Sequence, residues 1–489
     1  MAESGVKFGT SGARGLVDDM TDRVCYAYTL GFTQHLLERG IVSVGTQVGL
    51  AGDLRASTGR IMDACSQALR DCDLRPRNLG RIPSPALAAF GIAGGIPSMM
   101  VTGSHIPDDR NGIKFNLPTG EILKEDEEAI RAQEVTLRED LFDATGAFVA
   151  KTGSPLPPQD AAAFDAYVNR YLAFFPSHCL SGLRVGLYEH SSVARDSLHA
   201  VLAGLGAEVV RLGFSAAFVP VDTEAIRPED VALARRWCAD GGLDALVSAD
   251  GDGDRPLVAD ERGEWLRGDV VGILCARSLG AQGVVTPVSS NTAVEKCGWF
   301  GEVLRTRIGS PFVIVGMQRL LARGVAPVVG YEANGGFLLA SHIEQDGRQL
   351  AALPTRDAVI VAVCVLRMAR EQRLSVSRLA AHLPRRYTAS DRIKDFPSDL
   401  SHAQLGVLAT GDLVRDKVAV GEVFGGAFGE VVGLDTTDGL RMTFASGEIA
   451  HLRPSGNAPE LRAYTEAETP ERATEMNRIC MEILADWRA

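Results

Sequence analysis

Three aspartates in the stretch SADGDGDRPLV (residues 248–258), Asp250, Asp252 and Asp254, alternate with glycines. Glycine permits the tight backbone path that turns three carboxylates onto one hard cation, and three such charges would repel one another without it. The same letters also fit the start of a calcium loop, D-x-D-x-D-G with a glutamate at position twelve, since Glu261 stands twelfth from Asp250. That alternative breaks at its sixth position, where Arg255 replaces the glycine of the sharp turn and Pro256 follows. An apolar strand leading into a metal loop fits better.

Three further stretches carry chemistry. In VTGSHIP (101–107), Ser104 follows a flexible glycine and Pro107 stiffens the exit. His105 beside it has the chemistry of a proton carrier or hydrogen-bond partner. On these residues alone Ser104 reads equally as a nucleophile or an ordinary loop serine. A Ser-His-Asp hydrolase is disfavoured, because adjacent residues seldom face each other and no G-x-S-x-G elbow is present. In HLRPSGNAPELRAY (451–464), Arg453, Ser455, Gly456, Asn457 and Arg462 combine planar guanidinium forks with exposed backbone N–H groups, a phosphate cradle. The alternative is a surface hairpin with two exposed arginines. In GYEANGGF (330–337), Glu332 and Asn334 are spaced two apart, so that a carboxylate and an amide can face vicinal sugar hydroxyls. A plain turn with a left-handed Asn fits the same letters.

These loops need rigid elements to position them. The chain has 489 residues, too many for one core, with 46% apolar residues, 6% aromatics and 52 glycines, a balance suited to α/β units. Periodicity predicts strand then helix over 42–53 and 58–72, a strand into a loop over 98–105, and a strand, helix and strand over 183–213. A third pass starts near 283, with strand and loop over 326–336. From about Leu383 the pattern breaks, and 429–456 reads as short strands joined by D-G and S-G turns before a final helix over 469–487. The expected fold is three α/β domains with mixed sheets and a smaller C-terminal α+β domain, bounded at 1–155, 156–268, 269–382 and 383–489.

A net charge of −12 excludes broad nucleic-acid binding, and an anionic small substrate would need a locally basic pocket. The start, MAESGVKFGT, lacks signal-peptide character, and no apolar run approaches 18 residues, so no membrane association is expected and the location read from the sequence is cytoplasmic. The nine cysteines are scattered singly without a C-x-x-C and read as reduced, mostly buried residues.

In their fixed order the loops resemble those of the α-D-phosphohexomutase superfamily, the phosphoglucomutases and phosphomannomutases. FGTSGARG (8–15) is similar to that family's opening, VTGSHIPDDRNGIKF (101–115) to its phosphoserine loop, and DGDGDR (250–255) to its metal loop. GYEANGG and RPSGNAPELRAY (453–464) resemble its sugar and phosphate loops. The resemblance implies four domains around a central cleft. Ser104 would carry a phosphoryl group and would share a Mg²⁺ with Asp250, Asp252 and Asp254. Arg14, His105 and Lys114 would complete the catalytic set, with Lys114 or His105 moving the hydroxyl proton. Arg255, Glu332 and Asn334 would face the sugar phosphate, and Arg453, Ser455, Gly456, Asn457 and Arg462 would grip its remote phosphate. Hexose 1,6-bisphosphate would serve as intermediate and activator, sugar phosphates as partners, and the chain would be a monomer or homodimer.

Several positions depart from the family pattern. Ile106 stands for an Asn, Asn334 for the sugar-loop Ser, Asn457 for the phosphate-loop Thr, Gly336 where a His often follows, and Ser310 where some mutases have a His. The transfer residues are intact while the sugar-facing ones are altered. Phosphomannomutase is the favoured activity, with phosphoglucomutase or another phosphohexomutase as the alternative. A non-catalytic phosphosugar-binding protein and a phosphohydrolase are the competing classes.

Overall fold

The computed structural model of the chain describes residues 4–9, 12–149, 155–455 and 459–488. Among them the strands form four larger sheets and one two-stranded ribbon. The first sheet has seven strands. Its parallel centre, Gln47–Gly52 flanked by Arg75–Gly80 and Ser98–Val101, continues through the antiparallel strand Arg110–Leu117. The second sheet places Ala245–Ala249, Arg184–His190 and Glu208–Phe214 in parallel and adds Pro256–Ala259 antiparallel. The third repeats that plan, with Glu302–Thr306, Gly283–Pro287 and Val328–Tyr331 parallel and Phe337–Leu339 antiparallel. The fourth is wholly antiparallel, in the order Tyr387–Lys394, Glu460–Ala467, Ile449–Pro454, Leu440–Phe444, Val431–Asp435. The architecture is three α/β units with mixed sheets and a C-terminal α+β unit, as the sequence pattern predicts.

Each chemistry-bearing loop closes an antiparallel pair. Residues 102–109 join Ser98–Val101 to Arg110–Leu117, 250–255 join Ala245–Ala249 to Pro256–Ala259, and 332–336 join Val328–Tyr331 to Phe337–Leu339. The strands flanking 250–255 are buried and apolar, ALVSA and PLVA, so the loop is the tip of a buried hairpin and not the turn between two helices that a calcium hand requires. Ligands in α/β sheets bind beyond the carboxyl ends of parallel strands, and these three loops begin there.

One continuous apolar core runs through the first three units, from Ala51 and Leu79 through Val185 and Val247 to Val329 and Leu339. The C-terminal unit keeps a separate core around Phe424, Phe444, Leu461 and Met476. Tyr387–Lys394, where the sequence pattern only breaks, is an eight-residue strand paired along its whole length with Glu460–Ala467. Its side chains are mostly exposed, so it shows no apolar alternation. Two helices, Ser398–Leu408 and Leu413–Phe428, follow it and were not anticipated from the sequence. No helix among the described residues is long and apolar enough to cross a membrane.

Candidate active site

Ser104 sits at φ +55°, the left-handed region that costs a side-chain-bearing residue about 1–2 kcal/mol. The surrounding structure holds it there. Thr102 Oγ1 accepts from the Ser104 N–H at 2.7 Å, and the fully buried Arg55 donates to the carbonyls of Ser104, Ile106 and Pro107 at 2.8, 2.7 and 2.9 Å. Asp53, at the carboxyl end of the central strand, pairs with Arg55 and accepts from Thr102 and Thr58. Phe218 of the second unit lies 3.8 Å over the guanidinium.

The Ser104 hydroxyl donates to Asp250 Oδ2 at 2.6 Å, which joins the serine loop directly to the aspartate loop. A Cβ at Gly251 would come within 2.7 Å of the Ser104 carbonyl, so glycine is what lets the two loops meet. Ser84 of the first unit also donates to Asp252 Oδ2 at 2.6 Å. Lys114 Nζ lies 2.6 Å from Asp252 and 2.7 Å from Asp254, and Arg356 adds a contact to Asp254 at 3.1 Å. Burial would lower the Lys114 pKa, but Asp252 and Asp254 outweigh it and the net shift is upward.

The triad is not balanced by these cations. Burial and repulsion from Asp252 and Asp254 push Asp250 well above the usual carboxylate range. Lys114 overcomes burial to hold Asp252 below that range, and Arg356 does the same for Asp254. One buried oxygen on each of Asp252 and Asp254, Oδ1, has no hydrogen-bond partner. One ligand atom from each of the three carboxylates lies within 4.8 Å of the others. Buried carboxylate oxygens converging at that spacing can hold a hard divalent cation.

His105 Nδ1 is 2.8 Å from Arg255 and 3.4 Å from Ser104 Oγ. Since arginine only donates, Nδ1 accepts, and burial with the neighbouring Arg255 and Arg14 depresses the His105 pKa to about 2. Arg14 faces the same cluster, and burial together with Arg255 lowers its pKa to about 10. On the sugar-loop side, Glu332 is buried with Arg356 NH1 at 3.4 Å. Asn334 turns its Oδ1 onto the Gly336 N–H at 2.9 Å and its carbonyl accepts from Thr223, leaving its amide nitrogen for a ligand.

In the C-terminal unit Arg453 and Arg462 are directly opposed across an antiparallel pair. Like charges in that position are unfavourable. They are parked on separate carboxylates, Arg453 on Asp438 at 2.9 Å and Arg462 on Glu460 at 3.0 Å. Ser455 caps the strand with its N–H on the Glu460 carbonyl, while Gly456 and Asn457 lie outside the described residues. Glu224 interacts electrostatically with Arg255 and Glu332, and Tyr464 with both Glu224 and Arg462, so the hairpin lies within electrostatic range of the residues beside the sugar loop.

Arg55 and Arg356 were not singled out from the sequence. Arg55 had a signal, a D-x-R placed just after an apolar strand. Arg356, in TRD ahead of an apolar helix, had none.

Comparison with known proteins agrees with this layout. Sequence profiles of phosphoglucomutase/phosphomannomutase match in order, alpha/beta/alpha domain I over residues 5–139, domain II over 165–263, domain III over 267–387 and the C-terminal domain over 408–483. A phosphomannomutase of Sinorhizobium fredii is 45% identical over 469 residues, 96% of each chain. One of Salmonella muenchen is 43% identical over 473 residues, 96% of this chain and 94% of that protein. A crystal structure of a phosphoglucomutase/phosphomannomutase family protein from Burkholderia thailandensis shares the fold with a TM-score of 0.72 at 19% identity, covering 98% of this chain and 96% of that one.

Proposed function

The chain belongs to the phosphoglucomutase/phosphomannomutase family, and on that premise we propose that it interconverts mannose 1-phosphate and mannose 6-phosphate through a phosphoryl group carried on Ser104. The observation that carries this reading is the Ser104 hydroxyl held 2.6 Å from Asp250 at the edge of a buried carboxylate triad. A hydroxyl placed at a cation-binding triad is the arrangement phosphoryl transfer needs, because the protein's task there is to position and to neutralise charge.

Asp250, Asp252 and Asp254, with the Ser104 oxygen, would hold Mg²⁺, which when bound offsets the charge of the moving phosphoryl oxygens. Ser104 begins the cycle phosphorylated. The bond from phosphorus to Ser104 Oγ breaks as a bond to O1 or O6 of the bound hexose monophosphate forms, and the proton of the sugar hydroxyl ends on the freed Ser104 Oγ. The product of this half is a hexose 1,6-bisphosphate. It turns end for end in the cleft, and the other phosphoryl group returns to Ser104. Lys114, Arg14 and Arg255 stabilise negative charge on the transferred group. His105 Nδ1 accepts from Arg255 2.8 Å away and lies 3.4 Å from Ser104 Oγ, so His105 orients that arginine beside the reacting oxygen, and Lys114, paired with Asp252 and Asp254, serves as a fixed positive charge.

Glu332 and the Asn334 amide hold hydroxyls in either orientation of the sugar. Arg453, Ser455 and Arg462, with Gly456 and Asn457, grip the phosphate that does not react; an anion between the opposed arginines relieves their repulsion. A carboxylate and an amide at hydroxyls remote from C2 do not separate mannose from glucose, so glucose phosphates are a second substrate pair.

A phosphorus NMR time course with mannose 1-phosphate, glucose 1-phosphate and N-acetylglucosamine 1-phosphate, each with Mg²⁺ and a trace of hexose 1,6-bisphosphate, tests the reading. Mannose 6-phosphate should form fastest and glucose 6-phosphate next. Inorganic phosphate without isomerised sugar would make the chain a phosphohydrolase, and binding without turnover would make it a sugar-phosphate binding protein.

A further inference from the structure

Arg356 lies between the two loops whose roles differ most. Its NH2 is 3.1 Å from Asp254 Oδ2 in the aspartate loop, and its NH1 is 3.4 Å from Glu332 Oε2 in the sugar loop. The side chain is 4% exposed, so both contacts are made away from bulk water, where an ion pair is strongest. Arg356 Nε, also buried, has no partner, so the guanidinium spends its two terminal nitrogens on the two loops.

Three features fix it there. The following residue, Asp357, caps the buried helix Ala358–Gln372 through the N–H of Val359 at 3.0 Å and also accepts from Tyr167 at 2.7 Å, which pins the backbone. The preceding residue, Thr355, donates to Glu121 of the first unit at 2.7 Å, and Ser310 donates to the other oxygen of that carboxylate at 2.9 Å. The third is Gly336. A Cβ there would come within 2.5 Å of Arg356 Cδ and 2.7 Å of its Cγ, so the arginine stem occupies the volume a side chain at 336 would fill. Two of the positions that depart from the family pattern therefore bear on Arg356, Gly336 against its stem and Ser310 through the Glu121 carboxylate that also holds Thr355.

We propose that Arg356 is a positioning residue that ties the aspartate loop to the sugar loop. It presents the Glu332 carboxylate to the sugar hydroxyls, and its charge on Asp254 Oδ2, an oxygen Lys114 shares, opposes a divalent cation at the same carboxylate. The inference rests on the sugar-phosphate reading above and assigns to this chain a tie that its altered sugar loop makes room for. It has a consequence of opposite sign at the two loops. Removing the arginine frees Glu332, so sugar-phosphate affinity falls; it also removes a positive charge from beside the cation site, so metal affinity rises. A residue that only supported folding would weaken both.

The test is calorimetric titration of the full-length protein with Mg²⁺ alone and with mannose 6-phosphate alone, beside steady-state kinetics. Arg356→Ala should bind mannose 6-phosphate about tenfold more weakly, the scale of one charge-assisted hydrogen bond, with the loss in KM exceeding that in kcat. Its Mg²⁺ affinity should increase several-fold, to roughly the same scale. Arg356→Lys keeps the charge without the fork and should lose sugar affinity with Mg²⁺ affinity unchanged. Gly336→Ala, which displaces the arginine stem from the other side, should shift both affinities in the directions seen for Arg356→Ala and add nothing to it in the double variant. If Arg356→Ala does not fold, the lysine and Gly336 variants carry the test. Loss of Mg²⁺ affinity in the variants, or sugar affinity equal to wild type, would overturn the tie. A wild-type protein that converts no hexose phosphate would instead overturn the mutase reading, and the Mg²⁺ titrations would still decide whether Arg356 opposes a cation at Asp254.

Discussion

At one end of the cleft, Asp252 and Asp254 of loop 250–255, at most 2% exposed, pair with Lys114 and Arg356 at 9% and 4%. At the other, Arg453 and Arg462, 16% and 33% exposed, rest on Asp438 and Glu460 at 18% and 15%. The two kinds of ion pair differ in what breaking them costs. A desolvated pair holds its geometry, since removing one partner leaves an uncompensated charge, whereas a part-exposed pair is worth about 1 kcal/mol or less and exchanges readily. Chemistry needs the first and reversible phosphate capture needs the second. The cores follow the same division, one running through the first three units and a separate one in the C-terminal unit.

Substitutions in the serine and aspartate loops should therefore strike kcat, and those in the C-terminal hairpin KM. The largest effect is expected for Ser104→Ala, with turnover down at least ~10³-fold and sugar-phosphate binding retained, checked by steady-state kinetics beside calorimetry. Asp252→Asn comes next. It removes one ligand charge from the triad and should lower kcat by about 10²-fold or more, with a larger Mg²⁺ requirement seen in a metal titration after chelation.

Arg55→Ala probes how the buried end is held. It strips three loop carbonyls of their donor and leaves Asp53 unpaired, so unfolding free energy should fall by about 3–5 kcal/mol in a denaturant titration. A loss near 1 kcal/mol would mean that the loop does not depend on this arginine. At the exposed end, Arg453→Ala should raise KM by about tenfold with kcat changed less, if the arginine makes the charged hydrogen bond to the remote phosphate that the proposed function assigns it. An equal fall in kcat and kcat/KM would place Arg453 in the transition state and erase the division. The smallest effect is Ser310→Ala, which loses one donor to the Glu121 carboxylate while Thr355 keeps its own bond there, and should shift KM by no more than the equivalent of about 1 kcal/mol.

The sequence was legible where local chemistry and local structure coincide. Asp250, Asp252 and Asp254 stand on a short loop whose residue types announce them, whereas Ser104 read equally as a loop serine and it and Lys114 were picked out by the family resemblance; the structure joins all five within hydrogen-bond reach. The alternation of strand and helix likewise gave three α/β units. What pairs with what was not legible. That the aspartate and sugar loops return as antiparallel strands was hidden because those strands, PLVA and FLL, are too short to show alternation. Tyr387–Lys394 is an edge strand with an exposed, polar sequence, so no alternation marked it. Arg356 acts across two loops distant in sequence, and nothing near residue 356 signals either partner.

The central claim is that Ser104 carries the phosphoryl group. The most direct measurement is peptide mass spectrometry of the wild-type protein and Ser104→Ala after brief exposure to mannose 1,6-bisphosphate with Mg²⁺. A single phosphate on the wild-type peptide containing Ser104, absent from the variant, is the predicted result. Phosphate on another residue, or an unmodified Ser104 in a preparation that is turning over, would contradict it.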